Sequence, residues 1–127
     1  MQDPVSVSIV DDDASLRVAL TTFLRSFGYT ASGFGSVEEF ETAPEYLSAA
    51  CVVTDIQLPG QSGIDLKRHL GRTRPDVPVI MITARSESAL LASARSSGAY
   101  CLLQKPFAGD RLVRCIEGAL DGRPVPD

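Results

Sequence analysis

The chain contains no tryptophan and a single histidine, His69, so a zinc site built on histidines is not available to it. Aromatic residues make up 6% of the 127 positions, and no apolar run approaches the ~20 residues of a membrane span. Three cysteines, Cys51, Cys101 and Cys115, cannot all pair within the chain. Each lies in an apolar pattern and is expected to be a buried, reduced thiol. Basic charge is in deficit: 12 Lys and Arg against 16 Asp and Glu give a net −4, which disfavours non-specific binding to nucleic acid by this chain. The start, MQDPVSVSIVDDD, has Asp3 and no basic stretch ahead of its short apolar run. It is not a secretory signal, and a cytoplasmic location is the expectation.

What remains is an ordinary globular composition, 44% hydrophobic and 22% charged. A chain of this mass hides roughly two thirds of its unfolded surface, enough for one core without staples. Val5 to Val10 reads as a strand. A helical pattern follows from Ala14 to Phe27, with Leu16, Ala19, Leu20, Phe23, Leu24 and Phe27 on one face and Gly28 as its stop. Tyr29 to Phe34 is the second strand, and Ser36 and Glu39 have the spacing of a capping box that opens the second helix. Cys51 to Thr54, Val77 to Thr83 and Tyr100 to Leu103 are the remaining strands, alternating with helices at Gly63 to Leu70, at Glu87 to Ser97 and around Leu112 to Leu120.

Strands that are continuously apolar imply a parallel sheet covered on both faces. The expectation is therefore an α/β, doubly wound (βα)5 domain of flavodoxin-like strand order 2-1-3-4-5. The domain is expected over residues 1–121, with 122–127 as a tail or linker stub.

In such sheets ligands bind beyond the carboxyl ends of the strands. Strand one runs into Asp11, Asp12 and Asp13, strand three into Asp55, strand four into Thr83 and strand five into Lys105. Asp13 stands where a helix N-cap belongs. Two carboxylates about 4 Å apart repel by about 4 kcal/mol at an effective dielectric near 20, so the cluster calls for protonation, a cationic partner or a bound cation. An all-oxygen donor set suits Mg²⁺, which usually serves a phosphoryl group. A lysine and a hydroxyl at the same rim are the groups that would neutralise and hydrogen-bond phosphoryl oxygens. Asp55, alone at a strand tip before a Pro-Gly turn, is the candidate attacking carboxylate. His69 lies in a charged stretch, is expected on an exposed helix face, and is given no role.

The segments IVDDDASLR, VVTDIQLPGQSG, VIMITA and GAYCLLQKPF, in this order and spacing, resemble the receiver (CheY-like) domain of two-component response regulators over about residues 5 to 120. The resemblance implies that Asp55 takes a phosphoryl group from a sensor histidine kinase or phosphotransfer protein. It implies Mg²⁺ held by Asp12, Asp55 and the backbone carbonyl of Gln57, with Asp11 acting mainly through a water. Thr83 and Lys105 would bind the phosphoryl oxygens, and the Lys105-Pro106 bond is expected to be cis. Gln57 and Arg85 occupy positions that tune dephosphorylation in the family. The expected consequence is a conformational switch at a dimer or output interface, on the surface of the fourth and fifth helices. It needs no enzymatic turnover, no membrane and no direct contact with DNA by this domain.

One position departs from the family pattern. Receivers usually carry an aromatic three residues before the lysine, where this chain has Leu102; Tyr100, two residues earlier, is expected on the same strand face. Three other readings fit the residues less well. A degenerate receiver serving only as a protein-interaction module would not need the full set of Asp11, Asp12, Asp55, Thr83 and Lys105, although Leu102 speaks for it. An aspartyl-phosphate hydrolase of the haloacid-dehalogenase type would want an acid where Gln57 stands. A flavin or nucleotide carrier would want a glycine- or hydroxyl-rich loop where three acids stand.

Overall fold

The computed structural model describes residues 4–124. Five parallel strands, β1 (Ser6–Val10), β2 (Thr30–Phe34), β3 (Cys51–Asp55), β4 (Val79–Thr83) and β5 (Cys101–Gln104), form one sheet in the order β2-β1-β3-β4-β5. The expected order is the observed one. Among the described residues six helices connect or follow the strands: α1 (Ala14–Arg25), α2 (Val37–Glu41), α3 (Glu45–Ser48), α4 (Gly63–Thr73), α5 (Ser88–Ser96) and α6 (Gly109–Leu120).

The strands are apolar throughout because both faces are covered. On one side Val7, Ile9, Val53, Ile80 and Ile82 meet Leu20 and Leu24 of α1 and Leu112 and Ile116 of α6. On the other, Val10, Val52, Val79 and Met81 meet Val37 and Phe40 of α2, Leu66 and Leu70 of α4 and Ala94 of α5. Each such fully buried aliphatic side chain stabilises the fold by about 1.5–3 kcal/mol relative to exposure.

Three local features differ from expectation. The first helix stops at Arg25, with Ser26 as its C-cap and Gly28 at a φ of 91°, so Phe27 leaves the apolar stripe. Phe27 is 51% exposed and packs edge-on against Phe23, centroids 5.0 Å apart. The second helix is broken into α2 and α3, because Pro44 offers no backbone N–H to continue the ladder. The box expected at Ser36 is half formed: Ser36 Oγ accepts from Glu39 N at 3.1 Å, but Glu39 Oε2 accepts from Gly35 N at 3.0 Å and not from Ser36. A complete capping box occurs instead at Ser62, whose Oγ accepts from Asp65 N while Asp65 Oδ2 accepts from Ser62 N.

At the outer margin of β2, Arg25 donates to the Ala31 carbonyl from Nε at 3.2 Å and from Nη2 at 2.8 Å. At the far end of the chain Arg123 N donates to Gly118 O at 3.0 Å, and the Tyr100 hydroxyl donates to Pro124 O at 3.3 Å. Residues 122–124 of the expected tail thus fold back on α6 and the start of β5; 125–127 lie outside the described residues. Cys51 and Cys101 are buried as expected, whereas Cys115 is only partly so.

Candidate functional site

Parallel strands deliver their last residues to one rim, and that is how residues far apart in sequence meet here. Asp11 and Asp12 follow β1, Asp55 ends β3, Thr83 ends β4, and Lys105 follows β5 directly. The β3 tip can sit close to α4 because Gly63 has no Cβ: a methyl there would overlap the Asp55 carbonyl oxygen. Gly63 N also donates to Ile56 O at 2.9 Å, closing the intervening loop.

Lys105 Nζ is the centre of charge, 2.8 Å from Asp55 Oδ2 and 3.0 Å from Asp11 Oδ2. Asp55 Oδ1 accepts from Gln57 N at 2.9 Å, and Asp11 Oδ1 accepts from Asp13 N at 2.9 Å. Burial pushes the Asp11 carboxyl above its ordinary value, outweighing the hydrogen bond from Asp13 and the nearby ammonium. Burial acts in the opposite sense on Lys105 and is its largest single influence, yet the hydrogen bond to Asp55 and the negative charges of Asp55 and Asp11 together raise it. The ammonium is therefore held charged between two acids.

One lysine does not satisfy three carboxylates. Asp11, Asp12 and Asp55 each offer an oxygen within 4.8 Å of the others. Asp11 Oδ2, wholly buried, receives no hydrogen bond in spite of its ion pair. An all-oxygen set with an orphaned buried acceptor and an exposed third carboxylate, Asp12, fits a hard divalent cation that keeps part of its water, such as Mg²⁺. Asp13 stands apart from this cluster, because its Oδ1 accepts from Leu16 N at 3.2 Å and caps α1.

Thr83 is 0% exposed, and its Oγ1 accepts from Arg85 N at 3.0 Å. Arg85 also donates from Nη1 to Gln57 Oε1 at 2.8 Å and from Nε to Glu87 Oε1 at 2.8 Å, while its carbonyl accepts from Gln104 Nε2 at 3.1 Å. The Lys105-Pro106 bond is cis, as expected. Tyr100 does not share a face with Leu102. It precedes β5 and packs against the α1/α6 core, whereas Leu102 packs in the α2/α4/α5 core. Strand alternation does not reach back to residue 100, because the strand begins at Cys101.

Sequence reasoning missed two supports. Arg17 Nη1 donates to Asp11 O at 2.7 Å and fixes the end of β1. His69 Nδ1 lies 2.6 Å from Glu41 Oε2, half-buried, joining α4 to α2. Arg17 stands one turn into the helix that follows the acids, which is a readable signal; the His69 partner, 28 residues away, leaves none.

The family profile described as response regulator receiver domain matches residues 7–117. The transcriptional regulatory protein FixJ of Bradyrhizobium diazoefficiens is 34% identical over 114 residues, covering 90% of this chain and 56% of FixJ. The C4-dicarboxylate transport regulator DctD of Rhizobium meliloti is 36% identical over 118 residues, covering 93% of this chain and 26% of DctD. The chain thus spans about half the length of one relative and a quarter of the other. The crystal structure of FixJ-N superposes with a TM-score of 0.82 at 33% identity, covering 95% of this chain and 96% of that one. A CheY-like receiver protein from Methanospirillum hungatei, at 24% identity and a TM-score of 0.88, shares the fold. On the profile, the fold and the relatives together, the chain belongs to the response regulator receiver domains of two-component signalling.

Proposed function

We propose that Asp55 accepts a phosphoryl group from a sensor histidine kinase or phosphotransfer protein, and that the new charge switches the domain between two conformations. The observation that carries this reading is the position of Asp55: one oxygen on Lys105 Nζ at 2.8 Å, with Asp11 and Asp12 within reach of a shared cation. A carboxylate oxygen of Asp55 attacks phosphorus, and the bond from phosphorus to the donor's imidazole nitrogen breaks. Asp11, Asp12, Asp55 and the backbone carbonyl of Gln57 would hold Mg²⁺, which supplies charge neutralisation for the phosphoryl oxygens. Lys105 neutralises a further oxygen. Thr83, whose oxygen accepts from Arg85 N, would turn its hydroxyl to donate to another.

The chemistry is self-catalysed transfer and self-hydrolysis rather than turnover of a substrate. Gln57 stands where a hydrolase of the alternative class would carry its acid, so no general acid follows the nucleophile. An apolar groove of about 630 Å³ between Leu16, Leu20 and Phe23 of α1 and Pro106 and Phe107 opens beside Lys105, and we assign docking of the phosphoryl donor to it. A receiver from NtrC4, solved as a beryllofluoride-activated dimer, superposes with a TM-score of 0.85 at 28% identity, which supports dimerisation as one readout. We assign residues 1–121 to the receiver domain and 122–127 to a tail or linker stub, of which 122–124 fold back on α6. No helix among the described residues is long and apolar enough to cross a membrane. We assign the domain a cytoplasmic place and no direct contact with DNA.

The test is mass spectrometry after incubation with acetyl phosphate and Mg²⁺. One phosphoryl mass is expected on the wild type and none on Asp55→Asn or in the presence of EDTA. Its absence from the wild type overturns the reading.

A further inference from the structure

We propose that Arg85 is a positioning residue that ties the Thr83 hydroxyl to the tip of β5 and the start of α5, so that a movement of Thr83 is delivered to those two elements. The proposal rests on the reading of Asp55 as phosphoacceptor. Arg85 is bonded through its backbone and its side chain alike. Its N–H meets Thr83 Oγ1 at 3.0 Å, and its carbonyl takes Gln104 Nε2 at 3.1 Å. Its guanidinium spans Gln57 Oε1 at 2.8 Å and both carboxylate oxygens of Glu87 at 2.8 and 3.0 Å. Glu87 is the N-cap residue of α5, Gln104 is the last residue of β5, and Gln57 belongs to the loop after β3. One residue therefore bonds three segments around Thr83.

The side chain of Thr83 is fully buried, so its oxygen has no water to accept from in place of Arg85. When the hydroxyl turns toward a phosphoryl group on Asp55, the Arg85 backbone must follow or lose its acceptor. Because the Arg85 carbonyl is fixed by Gln104 and the guanidinium by Glu87, following displaces the β5 tip and the α5 start. Neither Leu102 of β5 nor Tyr100, just before it, offers a second polar route. Leu102 has no hydrogen-bonding group, and the hydroxyl of Tyr100 is engaged with Pro124 at the opposite end of the strand.

The experiment is amide NMR of the chain with and without acetyl phosphate and Mg²⁺, with the phosphorylated fraction measured by mass on the same samples. Gln104→Met keeps length and neutrality but removes the donor to Arg85; Arg85→Ala removes the guanidinium while keeping the backbone N–H. We expect Gln104→Met to reach wild-type phosphorylation and melt within about a degree of the wild type. Its shift changes at residues 88–91 and 103–105 should fall at least twofold while those at Asp12 and Ile56 persist. Arg85→Ala, normalised to its phosphorylated fraction, should lose the changes at 88–91. Full-sized changes at both segments in both variants overturn the coupling role. A wild type that gains phosphoryl mass separates that failure from a failure of Asp55 itself; one that gains none overturns both.

Discussion

Asp11 is the residue at which the fold works against itself. Its carboxyl is wholly buried, one oxygen lacks a hydrogen bond, and a second acid shares its lysine. Because the folded state raises its affinity for a proton, stabilisation from the protonated form is fully present below the ordinary value of 3.8 and is lost as pH rises through the raised one. At neutral pH the charged form is a cost. We expect Asp11→Asn to increase stability at pH 7 in EDTA, a gain that Mg²⁺ erases by stabilising only the wild type; denaturant melts with and without the ion decide it. Thiol chemistry follows the same logic of burial. The Cys51 thiol is pushed up to about 12 by desolvation, so almost no thiolate exists at neutral pH. Iodoacetamide at mildly alkaline pH should label partly buried Cys115 in the native protein and spare Cys51, whereas denaturant should expose all three cysteines. The acids, the threonine and the lysine were legible in the sequence because strand tips converge by topology. Arg85 and Gln104 meet through a backbone carbonyl, which no side-chain pattern announces.

Among the elements, α4 is the one held most specifically. Its start combines Ser62, Asp65 and Gly63, which together set how closely the helix approaches the end of β3 at Asp55. Removing the cap with Ser62→Ala should cost about 1 kcal/mol of global stability, measured by urea denaturation. The hydrogen bond from Ser62 holds the Asp65 carboxyl below its ordinary value, so its contribution is present above about pH 3.8 and is lost as pH falls through the lower folded value. Asp65→Asn should flatten that part of the acid limb. Gly63→Ala places a methyl against the Asp55 carbonyl, and we expect about 1–3 kcal/mol of destabilisation together with displaced amide resonances at 55–57. Element boundaries were harder to read than element types. Phe27 satisfied the helical period but Gly28 ended the helix before it, and Pro44 divided a segment whose start alone carried a signal.

Across the whole molecule, strand type and handedness rules left few arrangements, and the parallel order follows from runs such as VIMIT that are apolar on both faces. What those rules do not encode is the tie between layers remote in sequence, such as His69 to Glu41, because it depends on helix placement after the sheet has formed. The same sheet leaves β2 and β5 as its outer strands. Thr30 N donates to Val5 O and Asp11 N to Phe34 O, so the even-numbered residues of β2 bond inward and the Ala31 carbonyl points away from β1. An unpaired outer carbonyl is a template on which a foreign chain can grow as an added strand, and the guanidinium of Arg25 occupies it. We therefore expect Arg25→Ala to leave the melting temperature within a few degrees of the wild type, yet to scatter more light and bind thioflavin during prolonged incubation at high concentration. On that view one arginine, remote from every phosphoryl oxygen, guards the protein against becoming a fibril seed.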